Sequence, residues 1–198
     1  MQDLYPRSPI RALAQHLSAP LGPGQVGFIL ARPGMGKSAL LVHVALETAL
    51  TDKHVLHVTL TDTVDHVRAF YDQIIQSATR KVRSREQARV ALLVERHRMI
   101  HSYLDKDFDA ETLRGSVQML RQYAQFDPSL VVVDGVEASK AATLAVALRQ
   151  LAEDLRLPIW FTARGQLDDV APDTWSYCAR GLRLTPDGAS VKITLLDH

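Results

Sequence analysis

The sequence has 198 residues, 46% of them hydrophobic, with 23 basic and 22 acidic side chains and a formal net charge of +1. This length and apolar content support one well-packed core. We therefore expect a single domain over residues 1–198, with residues 1–9 as a loose arm and residues 10–17 as a short helix. The near-balanced charge excludes a strong overall field that would direct the chain to nucleic acid or to a membrane surface.

The cysteine content and the N-terminus predict a cytoplasmic protein. Cys178 is the single cysteine, so no internal disulfide can form and a reducing compartment is the natural setting. The first residues lack the apolar core of a signal peptide, and no run approaches the roughly 18 apolar residues of a membrane span. We therefore expect no association with a membrane.

The first part of the chain contains a glycine-rich loop between a strand and a helix. Residues 26–30 form a short apolar run typical of a strand, and residues 38–50 are helix-forming and apolar nearly all round. Between them, residues 31–38 read A-R-P-G-M-G-K-S and match the pattern G-x-x-x-x-G-K-[ST], except that Ala31 replaces the first glycine. A strand, this loop and a helix in this order predict a nucleotide-phosphate site.

Each part of the loop has a physical role in binding a nucleotide. Backbone N–H groups and the N-terminus of the following helix present donors and positive partial charge to a triphosphate. Gly34 and Gly36 permit backbone angles that a side chain would block. Lys37 provides a charge for the β- and γ-phosphates, and the Ser38 hydroxyl is a candidate Mg²⁺ ligand. The predicted nucleotide-binding residues are Arg32, Pro33, Gly34, Met35, Gly36, Lys37, Ser38 and Ala39.

The middle of the chain is predicted to alternate between strands and helices, in the order strand 54–60, helix 64–78, helix 84–96, strand 99–104 and a helix that ends before Asp127. Ser84 and Asp109 are the candidate caps of the last two helices. Residues 80–98 contain seven Lys or Arg against two Glu, a local balance of +5. This basic segment predicts either a nucleic-acid patch or the solvated face of a helix.

Residues 130–133 are predicted to form a buried strand that ends at Asp134. A carboxylate at this point, downstream of a phosphate-binding loop, is the candidate second group on the metal side, opposite Ser38. The alternative is a strand-end aspartate that caps the following turn.

The last third of the chain is predicted to contain a helix at 141–155, a strand at 158–163 and two strands at 180–185 and 190–196. Pro186-Asp187-Gly188 separates the last two and is a hairpin signal. Strands that alternate with helices indicate an α/β fold with a mostly parallel sheet, helices on both faces and a C-terminal antiparallel hairpin.

Two segments together resemble a known superfamily. Residues 31–38, directly after V-G-F-I-L, are similar to the phosphate-binding loop of the RecA-like ATPases, most closely the DnaB-type helicase motors and the KaiC-type ATPases. L-V-V-V-D-G at residues 130–135 resembles the second nucleotide motif of that superfamily. The resemblance implies a RecA-like P-loop NTPase of three layers that binds Mg–ATP, commonly in hexameric rings with ATP between subunits.

The departures from the family pattern concern catalysis. Thr61 stands where these families place the glutamate that polarises the attacking water, and a threonine is a poor base. Asp62 stands where KaiC-type proteins carry a second acidic residue. The polar γ-phosphate sensor of DnaB-type proteins corresponds to Arg164. The resemblance therefore implies that the catalytic residues are Lys37, Asp62 and Arg164.

Three functions remain open from these residues. The first is a slow ATPase that uses its nucleotide state as a switch or to control assembly, with a protein partner. The second is a nucleotide-binding scaffold or regulator that does not hydrolyse ATP, which the missing glutamate motivates. The third is a component of a DNA-dependent motor, which the DnaB-like loop and the basic segment suggest.

Overall fold

The computed structural model of the protein describes residues 21–104, 108–164, 170–188 and 190–196. The predicted arm at 1–9 and the predicted helix at 10–17 lie outside the described residues. No helix within the described ranges combines the length and the apolarity needed to cross a membrane.

The described chain contains seven strands and five α-helices. In chain order they are β1 (Val26–Ala31), α1 (Lys37–Ala49), β2 (Val55–Thr59), α2 (Val64–Ala78), α3 (Ser84–His97), β3 (Arg98–Ser102), α4 (Ala110–Tyr123), β4 (Leu130–Glu137), α5 (Ala141–Leu155), β5 (Ile159–Arg164), β6 (Arg180–Asp187) and β7 (Ser190–Leu196).

All seven strands belong to one sheet, in the order β3-β2-β4-β5-β1-β6-β7. Every pairing from β3 across to β6 is parallel, and β7 pairs with β6 antiparallel. The predicted α/β class, the mostly parallel sheet and the C-terminal hairpin are confirmed.

Helices cover both faces of the sheet and create three layers. Helices α1, α2 and α3 bury one face, and α4 and α5 bury the other. On the α4–α5 side, the rings of Phe28 and Phe161 stack with their centroids 4.6 Å apart. On the opposite side, Trp160 lies against Gly27, where a Cβ atom would come within 2.4 Å of the indole. Glycine at that position lets the large ring cover the sheet.

The basic segment differs from the prediction at its C-terminal end. Strand β3 begins at Arg98, and the side chain of Arg98 is only 3% exposed. Its guanidinium lies 4.5 Å from the centre of the Tyr71 ring and is bonded to Glu95. Arg98 is therefore an interior cation between α2, α3 and the sheet, and it does not contribute to a basic surface.

One predicted helix cap is wrong and the other is confirmed. The N-cap of α3 is Arg83, which makes no side-chain cap bond, and Ser84 is the first helical residue. The amide of Gln87 donates to the carbonyls of Thr79 and Val82 at 2.7 and 3.1 Å, which closes the preceding turn by a contact that the chain order does not reveal. Asp109 caps α4 as predicted, because its side chain accepts a hydrogen bond from the backbone of Thr112.

Strand β4 is longer than predicted. The expected strand at 130–133 continues to Glu137, although its register against β5 shifts between Val133 and Val136. Glu137 is the last residue of the strand. Pairing of β4 with β5 is interrupted after Val133, at Asp134, and resumes at Val136.

Candidate functional site

The candidate residues lie at one edge of the sheet. Strands β2, β4, β5 and β1 are parallel neighbours in that order, so their carboxyl ends meet at the same edge. Asp62, Asp134, Arg164 and the loop at residues 31–38 lie at or near the carboxyl ends of these four strands. The crevice outside the carboxyl ends of such strands is the usual ligand site of open α/β sheets.

The loop has the backbone conformation that its glycines predict. Gly34 and Gly36 have φ values of +77° and +84°, which lie in the left-handed region. A Cβ atom on Gly34 would meet nothing within 4 Å, so the backbone angle rather than the space requires glycine there. Gly36 is also the N-cap of α1, and neither a capping side chain nor an acidic residue occupies the first turn. The helix N-terminus is therefore open to an external anion.

The side chain of Lys37 folds back over the loop. Its Nζ atom donates to the carbonyl oxygens of Ala31 at 3.0 Å and Arg32 at 3.2 Å. Partial burial lowers the pKa of Lys37, and the nearby Asp134 carboxylate opposes that effect. A negatively charged ligand in the loop would interact favourably with the partly desolvated ammonium group of Lys37.

Asp134 is the most enclosed charged group of the edge, with 7% of its surface exposed. Burial raises the pKa of Asp134, whereas hydrogen bonds with Ser38 and Thr162 and the charge of Lys37 act in the opposite direction. The structure thus brings Ser38, Lys37 and Asp134 together, as the sequence predicts.

The side-chain oxygens of Ser38 and Asp134 are of the type that magnesium ions bind. Mg²⁺ prefers hard oxygen ligands and binds through one or two carboxylates together with substrate phosphates rather than in an all-protein cage. One hydroxyl and one buried carboxylate beside an open phosphate loop form such a donor set. A divalent cation would also compensate the cost of holding the Asp134 carboxylate out of water.

Asp62 lies in a turn that several side chains hold in place. The Thr59 hydroxyl accepts from the Asp62 amide at 3.1 Å, and the Ser102 hydroxyl donates to the Asp62 carbonyl at 2.6 Å. The Asp62 carboxylate is bonded to the Thr61 hydroxyl and to Nδ1 of His66, each at 2.9 Å. Asp62 is close enough to Asp134 for its charge to raise the pKa of Asp134. The structure therefore places the Asp62 and Asp134 carboxylates within electrostatic range of each other.

Arg164 lies at the same edge but is already paired. Its Nη2 atom lies 2.9 Å from Oε1 of Glu137, the residue opposite it in the pairing of β4 with β5. Both side chains are largely exposed, at 59% and 45%. The hydrogen bond from Arg164 and the charge of Lys140 lower the pKa of Glu137. As a γ-phosphate sensor, Arg164 would have to exchange this partner for the ligand.

Sequence reasoning missed Thr162. This residue is 1% exposed in β5, and its hydroxyl contacts both the Asp134 carboxylate and the Gly135 backbone. An apolar strand with one threonine gives no signal for such a role, because the contact joins residues 28 positions apart. The sequence indicates only that Thr61 replaces a catalytic glutamate. In the structure, the Thr61 side chain packs against Gly135.

Comparison with known proteins gives a match in structure. No protein-family model matches the chain, and no curated protein matches it. Among solved structures, the chain is similar to the ATPase domain of a DnaB-type helicase, with a TM-score of 0.69 and 13% sequence identity, over 96% of this chain and 82% of that one. At this identity the likeness concerns the fold. The chain therefore has a RecA-like, DnaB-like fold.

Proposed function

We propose that the protein binds Mg–ATP in the loop at residues 31–38 and hydrolyses it slowly, so that its nucleotide state serves as a switch or controls assembly. One observation carries this proposal. An open helix N-terminus, a partly desolvated Lys37 and the Ser38–Asp134 pair converge at one edge of the sheet. These are the donors, the charge and the metal-side oxygens that a nucleoside triphosphate requires.

In the proposed complex, each group of the loop exchanges an internal partner for the nucleotide. Lys37 leaves the carbonyls of Ala31 and Arg32 for the β- and γ-phosphates. Ser38 and Asp134 would hold a magnesium ion, which would supply positive charge to the phosphates. The exposed residues Arg32, Pro33 and Gly34 form the outer wall of the loop.

Asp62 is the proposed base for hydrolysis. Its carboxylate would take a proton from the attacking water, and His66 and Thr61 orient that carboxylate through their hydrogen bonds. Two features favour a slow reaction. The carboxylate is shorter by one methylene than the glutamate that Thr61 replaces, and it must share its oxygens with two existing partners.

Turnover and binding measured on the same variants test this proposal. We expect Lys37→Ala to abolish both, because the loop loses the side-chain cation that lies over it. Asp62→Asn should bind ATP within about threefold of the wild type but lower turnover about 100-fold, the lower range of general-base effects. A wild-type protein that binds ATP yet shows no turnover above Lys37→Ala would identify the second function, a scaffold or regulator without hydrolysis.

A surface of unpaired cations favours a second candidate, a component of a DNA-dependent motor. Six exposed basic side chains before and along α3 have no ion-pair partner within the described residues, namely Arg80, Lys81, Arg83, Arg85, Arg89 and Arg96. Phosphate backbones bind to clustered cations of this kind.

The salt dependence of DNA binding tests this candidate. The triple variant Arg83→Gln, Arg85→Gln, Arg89→Gln should bind double-stranded DNA more weakly. The plot of log affinity against log salt concentration should also become less steep, by about one unit for each of about three lost phosphate contacts. Arg149→Gln removes a cation from another part of the molecule and is the matched control. If the wild type binds no DNA at low salt, the motor function is wrong.

Assembly is the remaining part of the proposal. The RecA-like fold and the open position of the loop support a homo-oligomer with ATP near the subunit contact. The solution mass, measured with and without Mg–ATP, should increase on binding. If the mass is that of one chain in both conditions, the protein does not assemble with nucleotide. The proposed role is then limited to that of a nucleotide-dependent switch.

A further inference from the structure

Strand β4 contains a bulge at the metal-side carboxylate. Val133 pairs with Phe161 and Val136 pairs with Ala163, so Asp134 and Gly135 together lie opposite the single residue Thr162. Two residues that oppose one define a β-bulge, a feature that often lies next to active sites and redirects a side chain. Gly135 has a φ of +87°, a backbone angle that residues with a side chain rarely adopt.

The Thr162 hydroxyl occupies the gap that the bulge opens in the ladder. It accepts a hydrogen bond from the Gly135 amide at 3.1 Å, and it donates its own hydrogen to Oδ1 of Asp134. The amide can only donate, which leaves the hydroxyl hydrogen free, and the ionised carboxylate can only accept that hydrogen. Both the backbone amide and the buried carboxylate are thereby satisfied by one side chain.

Thr61 supports the bulge from the other side. A Cβ atom on Gly135 would come within 2.7 Å of Cγ2 and 2.9 Å of Oγ1 of Thr61. The turn after β2 therefore packs directly against the bulged glycine, in the space that a side chain at position 135 would fill. Gly135 is thus contacted from both sides, by the Thr162 hydroxyl at its amide and by the Thr61 side chain at its Cα.

We propose that Thr162 is a positioning residue for the metal site: its hydroxyl fixes one carboxylate oxygen of Asp134 and directs the other toward the cation. This inference rests on the proposed function, because it concerns the same magnesium–nucleotide site. Groups that orient a metal ligand typically contribute a factor of about 10 to 100 to metal affinity. Thr162 therefore affects the strength of Mg–ATP binding and leaves the affinity for metal-free ATP unchanged.

Nucleotide affinity measured with and without magnesium tests the role of Thr162. The ligand is N-methylanthraniloyl-ATP, titrated by fluorescence in either EDTA or MgCl₂. Thr162→Val keeps the shape and removes the hydroxyl, and Thr162→Ser restores it. Thr174→Val is the matched control, because Thr174 is equally buried and its hydroxyl has no hydrogen-bond partner among the described residues.

In EDTA, the nucleotide affinity of Thr162→Val should equal that of the wild type within about twofold. In MgCl₂, the increase in affinity that magnesium produces should be about 10-fold smaller for Thr162→Val than for the wild type. Thr162→Ser should recover most of that loss, and Thr174→Val should show none. Equal loss with and without magnesium, or no loss at all, overturns the positioning role. Failure of the wild type to bind in either condition overturns the proposed function instead, so the two failures are distinct.

A fold control keeps the test decisive. If circular dichroism shows that Thr162→Val is unfolded, Thr162→Cys replaces it, because a thiol has a similar shape but is a weak donor and acceptor. The same loss of the magnesium effect is expected for Thr162→Cys. A magnesium effect equal to that of the wild type would overturn the inference.

Discussion

The two halves of the sheet edge differ in how their charged groups are held. In the phosphate half, which comprises the loop at residues 31–38 and Asp134, burial shifts the pKa of Lys37 downward and that of Asp134 upward. In the hydrolysis half, which comprises Asp62 and Arg164, the side chains are 35% and 59% exposed and are paired with His66 and Glu137. The charged groups are partly desolvated in the first half, whereas those in the second half are more exposed and have side-chain partners.

This difference has a consequence for ligand binding and turnover. A phosphate and a cation that enter the phosphate half relieve a cost that the protein already carries, so binding is favoured. The groups of the hydrolysis half must give up existing partners before they act on the ligand. We therefore expect nucleotide affinity to be the stronger property and turnover the weaker one.

The largest effect should follow from the loss of Lys37. Lys37→Ala removes charge-assisted contacts to two phosphates, each worth about 1.5–3 kcal/mol, so ATP affinity should fall at least about 100-fold by calorimetry. Arg32→Ala, which removes an exposed loop cation, should cost only a few-fold. Comparable losses in both variants would contradict the special position of Lys37.

Acid should weaken the structure behind the hydrolysis half. His57 in β2 is fully buried beside Tyr71, and burial and the charge of Arg98 lower its pKa to about 3, while Asp62 acts weakly in the opposite direction. A depressed pKa keeps the neutral ring in the fold, so its contribution is complete above pH 6.5 and is lost as the pH falls toward 3. Burial also lowers the pKa of His43 in α1, to about 4, so His43 likewise makes the protein less stable as the pH falls.

The free energy of unfolding, measured with urea at pH 7 and pH 4.5, checks this expectation. A single histidine of this kind contributes about 2 kcal/mol of loss over that interval. His57→Gln should reduce the loss, and His66→Gln, which alters an exposed ring, should leave it unchanged. An undiminished loss in His57→Gln would show that other groups carry the acid sensitivity.

Neutralising Asp134 should separate stability from function. Asp134→Asn keeps the shape and removes a buried charge, so the nucleotide-free protein should become more stable by about 1 kcal/mol while Mg–ATP binding weakens. Thermal unfolding without ligand and titration with Mg–ATP measure the two effects. Asp72→Asn, at an exposed position of α2, is the control and should change neither. A loss of stability in Asp134→Asn would mean that its hydrogen bonds outweigh the cost of burial.

The sequence specifies the local geometry of the loop better than it specifies contacts between strands, and the reason is physical. The loop, Lys37 and Ser38 are neighbours along the chain, so a local pattern specifies their geometry. The contacts of Thr162 with Asp134 and of Arg164 with Glu137 join residues 28 and 27 positions apart. They depend on the register of β4 against β5, and a bulge shifts that register without a periodic signal.

The basic segment shows the same limit. Seven cations between residues 80 and 98 look equivalent in the sequence, yet Arg98 is an interior residue that covers Tyr71. Its burial depends on Glu95, which lies close enough to form the ion pair, and on the aromatic ring that α2 provides. Composition predicts how many cations a segment has, and tertiary packing decides which of them face solvent.

The smallest expected effect concerns the partner of Arg164. Glu137→Gln weakens the exposed ion pair at 2.9 Å and makes the guanidinium more available to the γ-phosphate. Because exposed pairs contribute little, the preference for ATP over ADP should rise by no more than about fivefold. Glu153→Gln weakens a comparable exposed pair with Arg149 in α5 and should leave the preference unchanged. If Glu137→Gln lowers the preference instead, then the Glu137 carboxylate orients Arg164 toward the ligand, and the two halves of the edge are more alike than their exposure indicates.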